Sequence, residues 1–450
     1  MARFLFAVIP ALGHLNPMLT VASELQRRGH HVAFGSGREI EGAIRRAGLP
    51  HFPVLPDTML DSSRDTVRRM LKHRGPLGNV YLIKNILEFM PASIPEWQQL
   101  MTEFHPDVVV VDMLTYGAAM VAQALEIPWA TFCPIPSMIP SRDAPPYSPW
   151  GLPPARNGLA RGLYRLLHAL HVRSFSMFDQ RFNRMRRTMG LEPLSCGVIT
   201  TSLSPYLVLI PSCQGFEFSR SDWPHQVYLI GTSPWTGNDD SEKVNPDLDL
   251  LSGDRPVIFV TLGTFQSHRP ALSFFETVVK AFADEPLQVV MAVGQQAIRS
   301  ASGGVPGNFM VASFIAHEKI LPRTSAVVHH GGFGISHDAI YFGVPSVIVP
   351  LGQDLFENAS RCTEAGVALR IDYRRFNPRR LRQALYRILG DEAIRGRVRR
   401  LQTLFQASHP DKLGASLLER LAMEKRPILR SEPIRSGFDQ RGVGFQTPPE

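Results

Sequence analysis

The chain is poor in cysteine and lacks any long apolar run. Cys133, Cys196, Cys213 and Cys362 lie far apart and form no Cys-x-x-Cys pair. That excludes a disulfide-stapled secreted scaffold and a paired-cysteine zinc site, and it fits buried thiols in a reducing compartment. No stretch approaches the ~18 consecutive apolar residues of a membrane span. Arg3 and the run Phe4 to Ile9 imitate the start of a signal peptide, but the run stops at Pro10 and lacks a small-x-small cleavage site. It continues into Gly13-His14-Leu-Asn-Pro17, as a first buried strand would, so a cytoplasmic chain is expected. Neither half carries Gly-x-Gly-x-x-Gly after its first strand, which disfavours a nicotinamide-dependent dehydrogenase. There is no internal repeat and no low-complexity tract. The net charge of +8 comes with arginines spread over many helices and no nucleic-acid motif. A basic protein with small anionic substrates is the simpler account.

What is present is a 450-residue chain with 44% hydrophobic residues, enough for two cores of ordinary size. Strands and helices alternate in both halves, which predicts an α/β protein of two doubly wound, Rossmann-like domains facing across a cleft. Residues 1–220 read as the first domain, 221–254 as an interdomain linker region and 255–400 as the second domain. A C-terminal helix over 401–424 is expected to pack back across the cleft, and 425–450 reads as a disordered tail. Residues 3–35 form a strand–helix–strand unit whose first loop carries Gly13 and His14, with Pro17 in the first turn of the helix. The run Val108 to Val111 ends in Asp112, on the rim where His14 lies. Pro134 to Pro154 is rich in proline and serine, and 156–190 is an arginine-rich amphipathic stretch. That stretch reads as two surface helices with a solvated basic face, with peripheral membrane contact as the alternative.

The second half holds Ala326-Val-Val-His-His330-Gly331-Gly332-Phe-Gly334-Ile335-Ser336, then Asp338-Ala, Gly343-Val-Pro345, Pro350, Gln353-Asp354 and Asn358. It reads as strand, turn, helix, strand. Glycines let backbone N–H groups approach a ligand, and the helix starting near Gly334 aims unpaired N–H groups and its positive dipole end at the same point. A phosphate suits such a site. His330 and Ser336 could each add a side-chain donor, with no metal required.

These elements together resemble the donor-binding signature of nucleotide-sugar-dependent glycosyltransferases with the GT-B fold, the family of UDP-glycosyltransferases and bacterial natural-product glycosyltransferases. The resemblance implies a nucleotide-sugar donor, a hydrophobic hydroxylated acceptor such as a polyketide, macrolide, carotenoid or flavonoid, no cofactor and no metal. It implies that His14 is the base, that Asp112 holds its ring, and that transfer proceeds with inversion at the anomeric carbon. His330, the N–H groups from Gly332 through Ile335 to Ser336, and Thr264 would stabilise the diphosphate. Phe314 stands where an aromatic residue stacks on the base, and His317 where a Gln or His meets the base edge through its backbone. Asp338 takes the place of the ribose-binding glutamate. Gln353 and Asp354 would meet the sugar hydroxyls, but Leu355 stands where the family has Gln, and Ala316 where it has Pro. UDP-glucose is the first expectation for the donor, and a deoxysugar nucleotide the second, since Leu355 cannot pair a hydroxyl. A nucleotide-sugar epimerase and a non-catalytic donor-binding partner subunit are the alternatives, and a monomer or dimer is expected.

Overall fold

The computed structural model describes residues 1–54, 76–147, 151–194, 197–237, 248–251, 254–263, 269–293, 306–352, 354–432 and 434. Among them, two parallel sheets build two domains. The first has seven strands: β1 (Arg3–Ala7), β2 (His31–Ser36), β3 (His51–Pro53), β4 (Val108–Asp112), β5 (Trp129–Phe132), β6 (Leu207–Ile210) and β7 (Val227–Leu229). They lie in the order β3-β2-β1-β4-β5-β6-β7. The second has six: β8 (Val257–Thr261), β9 (Gln288–Ala292), β10 (Phe309–Ala312), β11 (Ala326–His329), β12 (Ser346–Ile348) and β13 (Ala368–Arg370), in the order β10-β9-β8-β11-β12-β13. Every residue of β4 and β8 is buried, as expected of central parallel strands covered by helices on both faces. That is why both read as near-continuous apolar runs rather than as alternating patterns.

The chain order reverses between β1 and β4 in the first sheet and between β8 and β11 in the second. Ligands of open parallel sheets bind outside the carboxyl ends of the strands at such switch points. His14 follows β1, Asp112 ends β4, Gly263 follows β8 and His330 follows β11. Both predicted half-sites therefore sit at the switch point of their own sheet.

Several expected boundaries change. The helix after β1 spans Leu12–Arg27, so His14 lies in its first turn rather than in a loop. Pro17 falls inside this helix, past the first turn, where it has no N–H to give the Gly13 carbonyl. The region 221–254 is not all linker, because β7 pairs with β6 and belongs to the first sheet.

The C-terminal end also departs from expectation. Two helices replace one: Glu392–Gln406 packs into the second-domain core through Ile394, Val398, Leu401 and Phe405, and Pro410–Glu424 crosses to the first domain. There Leu417, Leu418 and Leu421 join the core under helix Leu12–Arg27. Burying each contributes about 1.5–3 kcal/mol. The half-exposed ion pairs of Glu419 with Arg28 (2.6 Å) and His30 (2.8 Å) contribute about 0–1 kcal/mol each, so apolar burial fixes the crossing. The residues after Lys425 are not a free tail as far as they are described. Ile428 is fully buried and donates its N–H to the Tyr206 carbonyl, and Ile434 bridges to Arg220.

The proline-rich segment joins the domains. Its Leu152 carbonyl accepts from Ser360 Oγ (3.1 Å), and Gly151 accepts from Arg370 (3.2 Å). Behind it lies a buried charge network: Arg361 bonds Glu217 (3.1 Å) and Glu357 (2.5 Å), and Arg220 bonds the same two carboxylates at 3.4 Å. Glu217 and Arg220 come from the first domain, Glu357 and Arg361 from helix Leu355–Glu364 of the second.

Candidate active site

The first-domain half of the site is a His–Asp pair. His14 Nδ1 stands 2.5 Å from Asp112 Oδ2, and Asp112 Oδ1 accepts the Leu114 N–H at 2.9 Å. Asp112 is fully buried, while the His14 side chain keeps 16% of its surface. With Nδ1 donating to the carboxylate, Nε2 is left as the acceptor on the exposed edge. Burial disfavours the charged ring, but Asp112 and, further off, Asp354 outweigh it, and the pKa of His14 rises above its ordinary value.

The second-domain half is the glycine turn after β11. Gly331 adopts φ +92°, and a Cβ there would stand 2.8 Å from the Leu355 carbonyl oxygen, so only glycine fits. The Gly331 N–H is held by His329 Nδ1 (3.1 Å), and its carbonyl accepts from Asn358 Nδ2 (3.0 Å). The helix Phe333–Tyr341 follows, with Gly332 as N-cap and no capping side chain. Its first helical bond is from Ser336 N–H to the Gly332 carbonyl, which leaves the N–H groups of Phe333, Gly334 and Ile335 without intrahelical acceptors. The His330 ring lies between two glycines: a Cβ at Gly332 would come within 2.7 Å of Nε2, and one at Gly263 within 3.1 Å of Cε1. Burial lowers the pKa of His330 to about 4 against the opposing pull of the Thr261 carbonyl. At neutral pH it therefore offers hydrogen bonding without charge.

The remaining candidates divide. His317 Nδ1 lies 2.7 Å from Asp338 Oδ2, so these two share one corner of the rim. Phe314 is half-buried in the connection after β10. Asp354 stands at the N-cap position of helix Leu355–Glu364 without a side-chain capping bond, and it accepts from Asn358 Nδ2 (3.2 Å). Burial above all lifts its pKa to about 6, Glu357 adds to this, and His14 opposes it across the cleft. Ser336 is buried, with its N–H bonded to the Gly332 carbonyl and its hydroxyl without a hydrogen-bond partner among the described residues. The Ile335 side chain is likewise in the core, leaving its N–H as the available group. Leu355 is 2% exposed and packs in the second-domain core, which corrects the expectation that it faces the sugar. Thr264 and Gln353 lie outside the described residues.

Sequence reading gave no role to His329 or Tyr147 and took Asn358 only as part of the motif. His329, at the end of β11, fixes the turn through the Gly331 N–H. Asn358 ties the turn to Asp354 and to Arg361, whose Nη1 donates to Asn358 Oδ1 at 2.8 Å. Tyr147, from the proline-rich segment, is buried against the Asp354 backbone.

A buried-carboxylate histidine on one Rossmann-like domain, facing a glycine-turn anion cradle on another, defines a two-domain group-transfer enzyme. Residues 4–130 match the glycosyltransferase family 28 N-terminal domain, and residues 276–413 match the C-terminal domain of erythromycin biosynthesis protein CIII-like proteins. The chain is 29% identical to 4'-demethylrebeccamycin synthase of Lentzea aerocolonigenes over 93% of its length and 99% of that protein's. It is 26% identical to O-mycaminosyltylonolide 6-deoxyallosyltransferase of Streptomyces fradiae, over 93% and 97% respectively. The solved structure of the spinosyn rhamnosyltransferase SpnG with thymidine diphosphate superposes with a TM-score of 0.67 at 19% identity, covering 92% of this chain and all of that one. The chain belongs to the natural-product glycosyltransferases of GT-B fold.

Proposed function

We propose that this glycosyltransferase moves a hexose, with inversion, from a nucleoside-diphosphate sugar to a hydroxyl of a hydrophobic small molecule. The His14–Asp112 pair, set where Asp354 of the other domain feels its charge, is the observation that carries this reading. His14 Nε2 takes the proton of the acceptor hydroxyl. The acceptor oxygen forms its bond to the anomeric carbon as the bond to the diphosphate oxygen breaks, and the nucleoside diphosphate leaves with the electron pair. Asp112 stabilises the imidazolium that forms. A diphosphate is a good enough leaving group to need no second acid of the glycosidase kind. The N–H groups of Phe333, Gly334 and Ile335 and the His330 ring meet the charge that grows on it, an effect largest in the transition state. The reaction needs no metal in this reading, since backbone dipoles and imidazole supply the positive potential.

The names of the 6-deoxyallosyltransferase and the rhamnosyltransferase favour a deoxyhexose over glucose, and the bound thymidine diphosphate of the latter favours that nucleotide over UDP. A donor-by-acceptor screen read by mass spectrometry tests the reading. Transfer to a hydrophobic alcohol or phenol with release of nucleoside diphosphate supports it. Formation of an epimeric nucleotide sugar without any acceptor contradicts it.

A further inference from the structure

The helix Gly158–Ser174 buries Tyr164 and His168 and turns an apolar stripe outward. Leu159, Leu163, Leu166 and Leu170 are 88%, 51%, 56% and 53% exposed and recur at spacings of four, three and four, which places them along one helical face. Met177, 68% exposed, continues the apolar surface. These are five of the thirteen large apolar side chains exposed among the described residues, gathered between positions 159 and 177. Scattered surface leucines need no explanation, whereas a contiguous stripe marks an interaction site.

One flank of the stripe is basic. Arg142, Arg161 and Arg165, with Gly158 and Gly162, line a cleft of about 350 Å³. Buried Asp143 pairs with Arg161 (3.0 Å), and Asp222 is taken up by Ser141 Oγ and the Arg142 N–H, while Arg165 makes no ion pair among the described residues. Residues 156–190 carry eight arginines against one acid, Asp179. Guanidinium groups match phosphate oxygens in fork geometry.

We propose that this face docks the protein peripherally on an anionic lipid bilayer, with the leucine stripe entering the interface and the arginine cleft holding lipid phosphates. An apolar helical face bordered by arginines is the pattern of interfacial helices. A second copy of the chain suits this face less well, because self-complementary pairing brings basic flank against basic flank. No helix among the described residues is long and apolar enough to cross a membrane, which leaves surface docking as the membrane mode for this face. The proposal stands on the surface alone and does not rest on the sugar-transfer chemistry.

Flotation of the full-length protein with phosphatidylcholine vesicles, with and without phosphatidylglycerol, tests it, and thermal unfolding confirms that each variant is folded. The wild type floats with the phosphatidylglycerol vesicles and detaches at high salt. Leu163→Asp combined with Leu166→Asp lowers vesicle affinity at least about tenfold, and Arg165→Gln lowers it about fivefold. The proposal is overturned if the wild type stays in the buffer fraction, if the leucine variant floats like the wild type, or if neutral vesicles capture as much protein. A concentration-dependent dimer that the leucine substitutions disperse, without flotation, assigns the face to a second copy and overturns the lipid assignment.

Discussion

Asp112 holds His14 Nδ1 at 2.5 Å with one carboxylate oxygen and the Leu114 N–H at 2.9 Å with the other, so the carboxylate that orients the imidazole is itself fixed by the backbone. The arrangement sets both the tautomer of His14 and its proton affinity. Because Asp112 helps raise the pKa of His14 above its ordinary value, the free enzyme should gain activity as pH rises through that pKa, where the ring loses its second proton. Asp112→Asn removes the charge that opposes the burial effect, so the acidic limb of kcat/KM moves to lower pH while the plateau falls. A limb that stays in place in Asp112→Asn would show that Asp112 does not act through His14.

His330 is neutral at physiological pH and has a single N–H, so a hydrogen bond from it to a charged ligand requires that N–H to turn from the Thr261 carbonyl to the diphosphate. Such bonds are worth about 1.5–3 kcal/mol. His330→Ala should therefore weaken the donor and the free nucleoside diphosphate alike, by roughly ten- to hundredfold in calorimetric titrations. Treatment with EDTA should leave the transfer rate unaltered. A rate lost on chelation and restored by magnesium or manganese would refute the metal-free account.

Leu355 packs in the second-domain core. Leu355→Gln thus buries an amide, with an expected loss of about 1–3 kcal/mol of stability and little change in the ratio of kcat/KM between UDP-glucose and a deoxysugar nucleotide. Denaturant unfolding alongside the two-donor kinetics checks this. A shift of the ratio toward UDP-glucose at wild-type stability would return the side chain to the sugar.

The network of Glu217, Arg220, Glu357 and Arg361 is buried between the domains. Removing Arg361 leaves two buried carboxylates sharing Arg220 alone, and breaking a buried pair costs about 3–5 kcal/mol. Arg361→Ala should lower the unfolding midpoint accordingly. It should also raise the donor KM, since Arg361 braces Asn358, which holds the Gly331 carbonyl. Wild-type stability in Arg361→Ala would contradict the role given to the network.

The strands and the glycine turn were legible because parallel strands buried on both faces demand runs such as Val108 to Val111, and because a strand-to-helix turn with φ +92° admits only Gly331. His14 and Asp112 could be placed on one rim from strand order alone. What stayed hidden depends on distant partners or on which way a side chain turns. The Glu217–Arg361 bond spans 144 positions in the chain. Pro17 suggested a later helix start than Leu12, because it tolerates a place inside the helix that propensity disfavours. The apparent tail was read from its polar composition, yet Ile428 and Ile434 are buried in its described part.

The most direct test of the account is the transfer rate of His14→Ala at neutral pH with a weakly acidic alcohol as acceptor, measured beside its affinity for the donor. Loss of the general base should lower turnover by about 10²–10⁴-fold. Donor affinity should hardly change, because the diphosphate cradle belongs to the other domain. Near-wild-type turnover in His14→Ala would contradict the assignment of His14 as the base.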